Sequence, residues 1–105
     1  MAYKYILSFA VLIVSQICNS QNIEERFYQI VSTEYQESVN IPSASENNGE
    51  RLIIWDKNDC RFNQEWKFEK RHNDYIIRSR YNDKVITAKN DCVIQNEFVN
   101  SKSQY

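Results

Sequence analysis

The chain has 105 residues, with 13 Lys and Arg against 14 Asp and Glu and a net charge of −1. Such a length makes one domain, and a nearly neutral, mixed-sign surface gives no electrostatic footprint for nucleic acid or for an anionic membrane. One His and three scattered Cys exclude a four-ligand metal set.

The first twenty residues, MAYKYILSFAVLIVSQICNS, carry one cation at Lys4, an apolar run from Ile6 to Val14, and small residues at Cys18 and Ser20. That is the three-part layout of a secretory signal, and the apolar run is too short to cross a bilayer as a helix. Cleavage after Ser20 would leave a single domain over residues 21–105. Lys4 leaves with the leader, so 12 cations then face 14 carboxylates, a net charge of −2. The chain is expected to be secreted and extracellular. Cys60 and Cys92 remain as an even pair in an oxidising compartment, so a disulfide is expected. Closing a loop of roughly thirty residues, it would contribute about 3 kcal/mol. Two free thiols, or pairing between chains, are the alternatives.

Residues 21–26 have the length for one turn. After them come seven short segments rich in β-branched and aromatic residues, bounded by Asn, Asp, Ser or Gly. They are Phe27–Val31, Ser38–Ile41, Leu52–Trp55, Glu65–Phe68, Tyr75–Ser79, Lys84–Ala88 and Val93–Phe98. Pro42–Gly49 holds the single Pro and the single Gly and reads as a loop. EKRH, Glu69 to His72, is the densest basic stretch and reads as a solvated loop. The tail NSKSQY is expected to fray. No segment beyond the leader sustains helical periodicity, so the fold expected is all-β, a small barrel or sandwich of about seven short strands.

Two internal echoes stand out. At an offset of 47, Tyr28, Ile30, Ser32 and Val39 fall on Tyr75, Ile77, Ser79 and Ile86. KNDC occurs at Lys57–Cys60 and again at Lys89–Cys92, a period of 32. The first preserves apolar positions and is the structural one; the second reads as a turn formula used twice.

LIIWDKNDCRFNQEWKFEKRHNDYIIRSRYNDKVITA, Leu52 to Ala88, places a strand ending in Trp, a turn containing Cys, then Asn-Gln-x-Trp-x-Phe, then a strand–turn–strand. That order resembles the ricin-type β-trefoil lectin repeat, with Gln64-Glu65-Trp66 as its Gln-x-Trp signature. The resemblance implies a partial β-trefoil in which Trp66 packs into the shared centre and Gln64 ties a turn to backbone. It also implies a carbohydrate site in which Trp55 stacks on a sugar face and Asn63 binds hydroxyls. The family's carboxylate position falls on Asn40, or on Thr87 in the second copy, and neither is an acid. The second copy offers Gln95 or Asn96 where the stacking Trp stands. About one and two-thirds of the family's three repeats fit in the chain. Homo-oligomerisation through the incomplete face, a different closure on seven strands, or a remnant stapled by Cys60 and Cys92 would each resolve the deficit.

Catalysis has no players: His72 lies in a polar turn, and no pair of acids has an apolar setting that tunes one upward. The chain is read as a non-enzyme without a cofactor, and no segment has the length and uninterrupted apolar face for membrane insertion. Two readings stay open. One is a secreted carbohydrate-binding module whose partners are glycans or glycoproteins. The other is a secreted effector, toxin-like or interaction protein that uses the trefoil scaffold without sugar. Exposure of Trp55 beside Asn40 and Asn63 separates them.

Overall fold

The computed structural model describes residues 25–59 and 61–105, together with the backbone of Lys4–Tyr5 and Ile13–Val14. The remainder of the expected leader, most of the expected turn over 21–26, and Cys60 lie outside the described residues. Among the described residues, ten antiparallel strands form two five-stranded sheets. They are β1 (Lys4–Tyr5), β2 (Ile13–Val14), β3 (Phe27–Tyr28), β4 (Ile30–Val31), β5 (Glu37–Asn40), β6 (Ile53–Asp56), β7 (Trp66–Arg71), β8 (Asp74–Ser79), β9 (Val85–Lys89) and β10 (Cys92–Asn96). One sheet runs β1-β6-β5-β4-β2 and the other β10-β9-β8-β7-β3. The all-β class is as expected. Two dipeptides of the expected leader, β1 and β2, pair with β6 and β4.

The segment expected as one strand over Phe27–Val31 serves both sheets. Its first half pairs with β7 (Tyr28↔Trp66), and its second half with β5 (Val31↔Ser38). The change of partner falls at Gln29, whose side chain donates to the Asn58 carbonyl at 2.9 Å.

β7 runs to Arg71, so the reading of EKRH as a solvated loop is corrected. All six residues of β7 pair with β8, and a two-residue turn at His72 and Asn73 closes the hairpin. His72 takes the left-handed backbone this turn needs, at φ 56°. Glu69 is buried on the face of β7 away from Trp66 and Phe68. Arg78 Nε lies 2.8 Å from it, Arg71 Nη2 3.3 Å and Lys67 Nζ 3.6 Å. A buried carboxylate needs such partners; the stretch itself supplies Arg71, while Lys67 comes from earlier in β7 and Arg78 from β8.

Alternation along β7 sends Trp66 and Phe68 into the core with Tyr28, Ile30, Val39, Ile41, Leu52, Ile86 and Val93. Trp66 is fully buried, and its indole Nε1 donates to the Val39 carbonyl at 3.1 Å. A buried indole requires that bond. The Tyr28 and Phe68 rings meet edge to face with centroids 5.8 Å apart.

The 47-residue echo is structural. Ser32 donates to the Glu37 carbonyl at 2.8 Å and accepts from the Gln36 amide at 2.9 Å. Ser79 repeats this with the Lys84 carbonyl at 2.8 Å and the Asp83 amide at 3.1 Å. Gln36 and Asp83 are both left-handed, at φ 56° and 63°. Register continues the match: Ser38↔Trp55 and Asn40↔Ile53 in one copy become Val85↔Asn96 and Thr87↔Ile94 in the other. Trp55 to Asn96 is an offset of 41, so the second hairpin loop is six residues shorter (47 − 41). The two KNDC stretches are not equivalent, because Lys89–Cys92 closes the β9–β10 hairpin whereas Lys57–Cys60 follows β6.

The expected frayed tail is also corrected. Lys102–Gln104 forms a 3₁₀ turn, and Gln104 is only 3% exposed. Its amide finds buried partners, which holds the tail in place. Cys92 is a half-buried free thiol; with Cys60 outside the described residues, the expected disulfide is no part of the described fold.

Candidate functional site

β5, β6 and the 3₁₀ turn Phe62–Gln64 meet at one end of the first copy. Asn40 ends β5. Trp55 lies opposite Ser38 on β6, hence on the same face as Asn40 and one cross-strand pair along. Trp55 and Asn63 are half-buried, and Asn40 is buried.

Gln64 organises this corner. Its Oε1 accepts the Asn58 amide at 2.8 Å, and its Nε2 donates to the Asp56 carbonyl at 2.9 Å. Both ends of the amide are therefore oriented by backbone. The same Nε2 donates to Asn40 Oδ1 at 3.1 Å. Asn63 Nδ2 is likewise fixed by the Ile41 carbonyl at 2.9 Å, and also donates to Asn40 Oδ1 at 3.2 Å. The Asn63 carbonyl accepts from the Ile41 amide at 3.0 Å, which locks the turn to the end of β5.

The polarity of the corner follows from these bonds. Asn40 Oδ1 is occupied by two donors, so its Nδ2 is the atom left to face outward. Asn63 has both Nδ2 hydrogens occupied, so its Oδ1 is the outward atom. Among the described residues neither outward atom has a partner. The corner presents one donor and one acceptor, both neutral, beside an indole. A carboxylate at position 40 would instead present a charged acceptor.

Asn40, Trp55 and Asn63 are the three residues named from the sequence, and the fold brings them to one corner. Gln64 bonds backbone groups at both ends of its amide, and Trp66 is fully buried in the core. In the second copy, Thr87 stands at the place of Asn40, Ser103 at that of Asn63, and Asn96 at that of Trp55. Gln95 is buried and ties the 42–49 loop, donating to the Ser45 carbonyl at 3.0 Å and the Asn47 carbonyl at 2.9 Å. The second copy has no aromatic at the stacking position.

Sequence reasoning missed Gln104. It accepts the Val99 amide at 2.9 Å and donates to the Glu97 carbonyl at 2.8 Å and to Thr87 Oγ1 at 3.2 Å. These are the bonds of Gln64 with every partner replaced by its counterpart. The 40-residue step from FNQ to KSQ was the available signal. The second copy thus extends through the 3₁₀ turn, and the estimate of one and two-thirds repeats becomes two copies up to that turn.

Residues 15–97 match the family described as ricin-type beta-trefoil lectin domain-like. The chain belongs to this family. Among solved structures, this ricin-type trefoil is similar to the designed three-fold symmetric protein ThreeFoil, with TM-score 0.73 and 17% identity over 89% of the chain. It spans 66% of that protein, in keeping with two copies of a threefold repeat. It is also similar to an exo-beta-1,3-galactanase from Clostridium thermocellum, with TM-score 0.70 and 22% identity over 79% of the chain and 19% of the enzyme. A third is the Polyporus squamosus lectin bound to a human-type influenza-binding epitope, with TM-score 0.68 and 15% identity over 89% of the chain and 33% of the lectin. At these identities the likeness is one of fold. No curated protein matches the chain.

Proposed function

We propose that the chain is a secreted carbohydrate-binding module, that its leader is removed after Ser20, and that it binds a sugar at Asn40, Trp55 and Asn63. The reading is supported by membership of the lectin-like family and by the solved Polyporus squamosus lectin, which is bound to a glycan epitope. The observation that carries it is the amide corner: Gln64 orients Asn40 and Asn63 so that one donor and one acceptor stand beside the Trp55 indole. A pyranose offers an apolar C–H face to an indole and hydroxyls that both give and accept hydrogen bonds. Binding is expected to be non-catalytic and confined to the first copy, because Asn96 cannot stack as Trp55 can.

The test is a screen of the protein and its Trp55→Ala variant against immobilised mono- and oligosaccharides. Retention that disappears in the variant supports the site. Equal retention by both proteins, or none by either when folded, overturns it.

A further inference from the structure

Each copy has a position opposite the stacking place that is closed to solvent whatever residue fills it. In the first copy it is Ser38 and in the second Val85, and both are fully buried. Ser38 sits on β5 between Val31 of β4 and Trp55 of β6. Val85 sits on β9 between Arg78 of β8 and Asn96 of β10. Strand frame, register and burial are shared.

What differs is size, and it is exchanged across the pair. The first copy sets a Ser against a Trp, the second a Val against an Asn. Trp55 and Asn96 are both half-buried. Directly opposed Cβ atoms stand about 4.5–5.5 Å apart, so the inner side chain decides how far the outer one leans over its strand. Neighbouring strands wall the inner position on both sides, and an added methyl group there pushes outward against the ring. Small faces large in one copy, and two middle-sized side chains face each other in the other. The Ser38 hydroxyl has no hydrogen-bond partner among the described residues, so it brings small size to this place rather than a bond.

We propose that Ser38 is a positioning residue for the sugar site: its small side chain seats the Trp55 indole low over β5, where a sugar ring stacked on it also reaches Asn40 and Asn63. This rests on the site proposed above. Ser38 acts through the ring and touches no ligand. In the second copy Val85 fills the seat, so Trp in place of Asn96 would not by itself restore a stacking surface there.

Two readouts on the full chain test the seat, with Ser38→Val, Ser38→Thr and Ser38→Ala. Acrylamide quenching of tryptophan fluorescence reports Trp55, because Trp66 is fully buried. Quenching is expected to rise in the Val and Thr variants and to keep the parent's value in the Ala variant. NMR titration uses the methyl glycosides of glucose, galactose, mannose and N-acetylglucosamine. Binding is expected to weaken about tenfold in the Val and Thr variants, as for loss of an aromatic contact, and to be unchanged in the Ala variant. Val and Thr share a shape, so the Thr variant carries the test should the Val variant not fold. A Thr variant that binds like the parent, or an Ala variant as weak as the Val variant, would assign the role to the hydroxyl and overturn the seat. Unchanged quenching in the folded Val and Thr variants overturns it whether or not a sugar binds. Binding lost in Trp55→Ala but kept in Ser38→Val overturns the seat and leaves the site standing. No binding by the parent overturns the site, and with it the role of Ser38.

Discussion

Gln64 and Gln104 make one bonding pattern twice, each accepting one backbone amide, donating to one backbone carbonyl and donating to the side chain at the carboxylate position of its own copy. For Gln64 that side chain is Asn40, and for Gln104 it is Thr87. The pattern states why a Gln is placed there. A short connection that passes under a hairpin leaves backbone groups without ladder partners, and one primary amide satisfies both an N–H and a C=O.

Gln104→Ala is therefore expected to destabilise the protein by about 2 kcal/mol, because the Val99 amide and the Glu97 carbonyl lose a buried partner. Chemical denaturation measures it. A change below about 0.5 kcal/mol, the ordinary surface value, would return the tail to a frayed segment.

Trp66→Ala is expected to cost about 3–5 kcal/mol, the range for truncating a buried Trp. Trp66→Phe retains much of the packing but strands the Val39 carbonyl, and its expected cost is smaller. Thermal and denaturant unfolding of the pair separates ring packing from the hydrogen bond. A Trp66→Phe variant as stable as the parent would remove the role given to Nε1, since both variants lose that donor.

Ser38 is fully buried, and its hydroxyl has no hydrogen-bond partner among the described residues. Its counterpart in the second copy is Val85, a buried apolar residue. Ser38→Ala is expected to leave the fold unchanged and to raise stability by about 1 kcal/mol, since it deletes an unsatisfied polar group. For a domain of this size that is a rise of roughly 4–8 °C in melting temperature. A fall in melting temperature would contradict the assignment.

Asn40→Asp tests the polarity of the corner. One carboxylate oxygen inherits the bonds from Gln64 and Asn63, so folding is expected to survive. The outward atom changes from a neutral donor to a charged acceptor, whose bonds are roughly twice as strong. Affinity for a sugar that presents paired hydroxyls is expected to rise about tenfold, which corresponds to about 1.4 kcal/mol. Calorimetric titration of both proteins with the same saccharide reads the change, and an unchanged or weakened affinity would show that Asn40 does not face the ligand.

Much of the fold was legible because period-two alternation and Asn- or Asp-bounded turns are local signals. All seven expected segments are strands, and the 47-residue echo survived because Tyr28, Ile30 and Val39 face one core. The misses have physical causes. β7 outran its expected end because Glu69, read as solvent-facing, is buried by cations that come partly from β8. Gln104 was hidden because its partners, Glu97 and Thr87, are brought to it only by the closed hairpin. Position 96, not 95, faces the stacking place because the β9–β10 register sets Asn96 opposite Val85 and turns Gln95 toward the 42–49 loop. The site was named from residue types, but the outward donor on Asn40 follows only from knowing which atoms Gln64 and Asn63 occupy.

The most direct measurement follows side-chain N–H signals while the ¹⁵N-labelled protein is titrated with a panel of monosaccharides. The account expects the Trp55 indole and the Asn40 and Asn63 amides to shift together and saturate, while the Trp66 indole and the Gln104 amide stay fixed. Signals that stay still with every sugar, or that move around Thr87 and Asn96 instead, would contradict it.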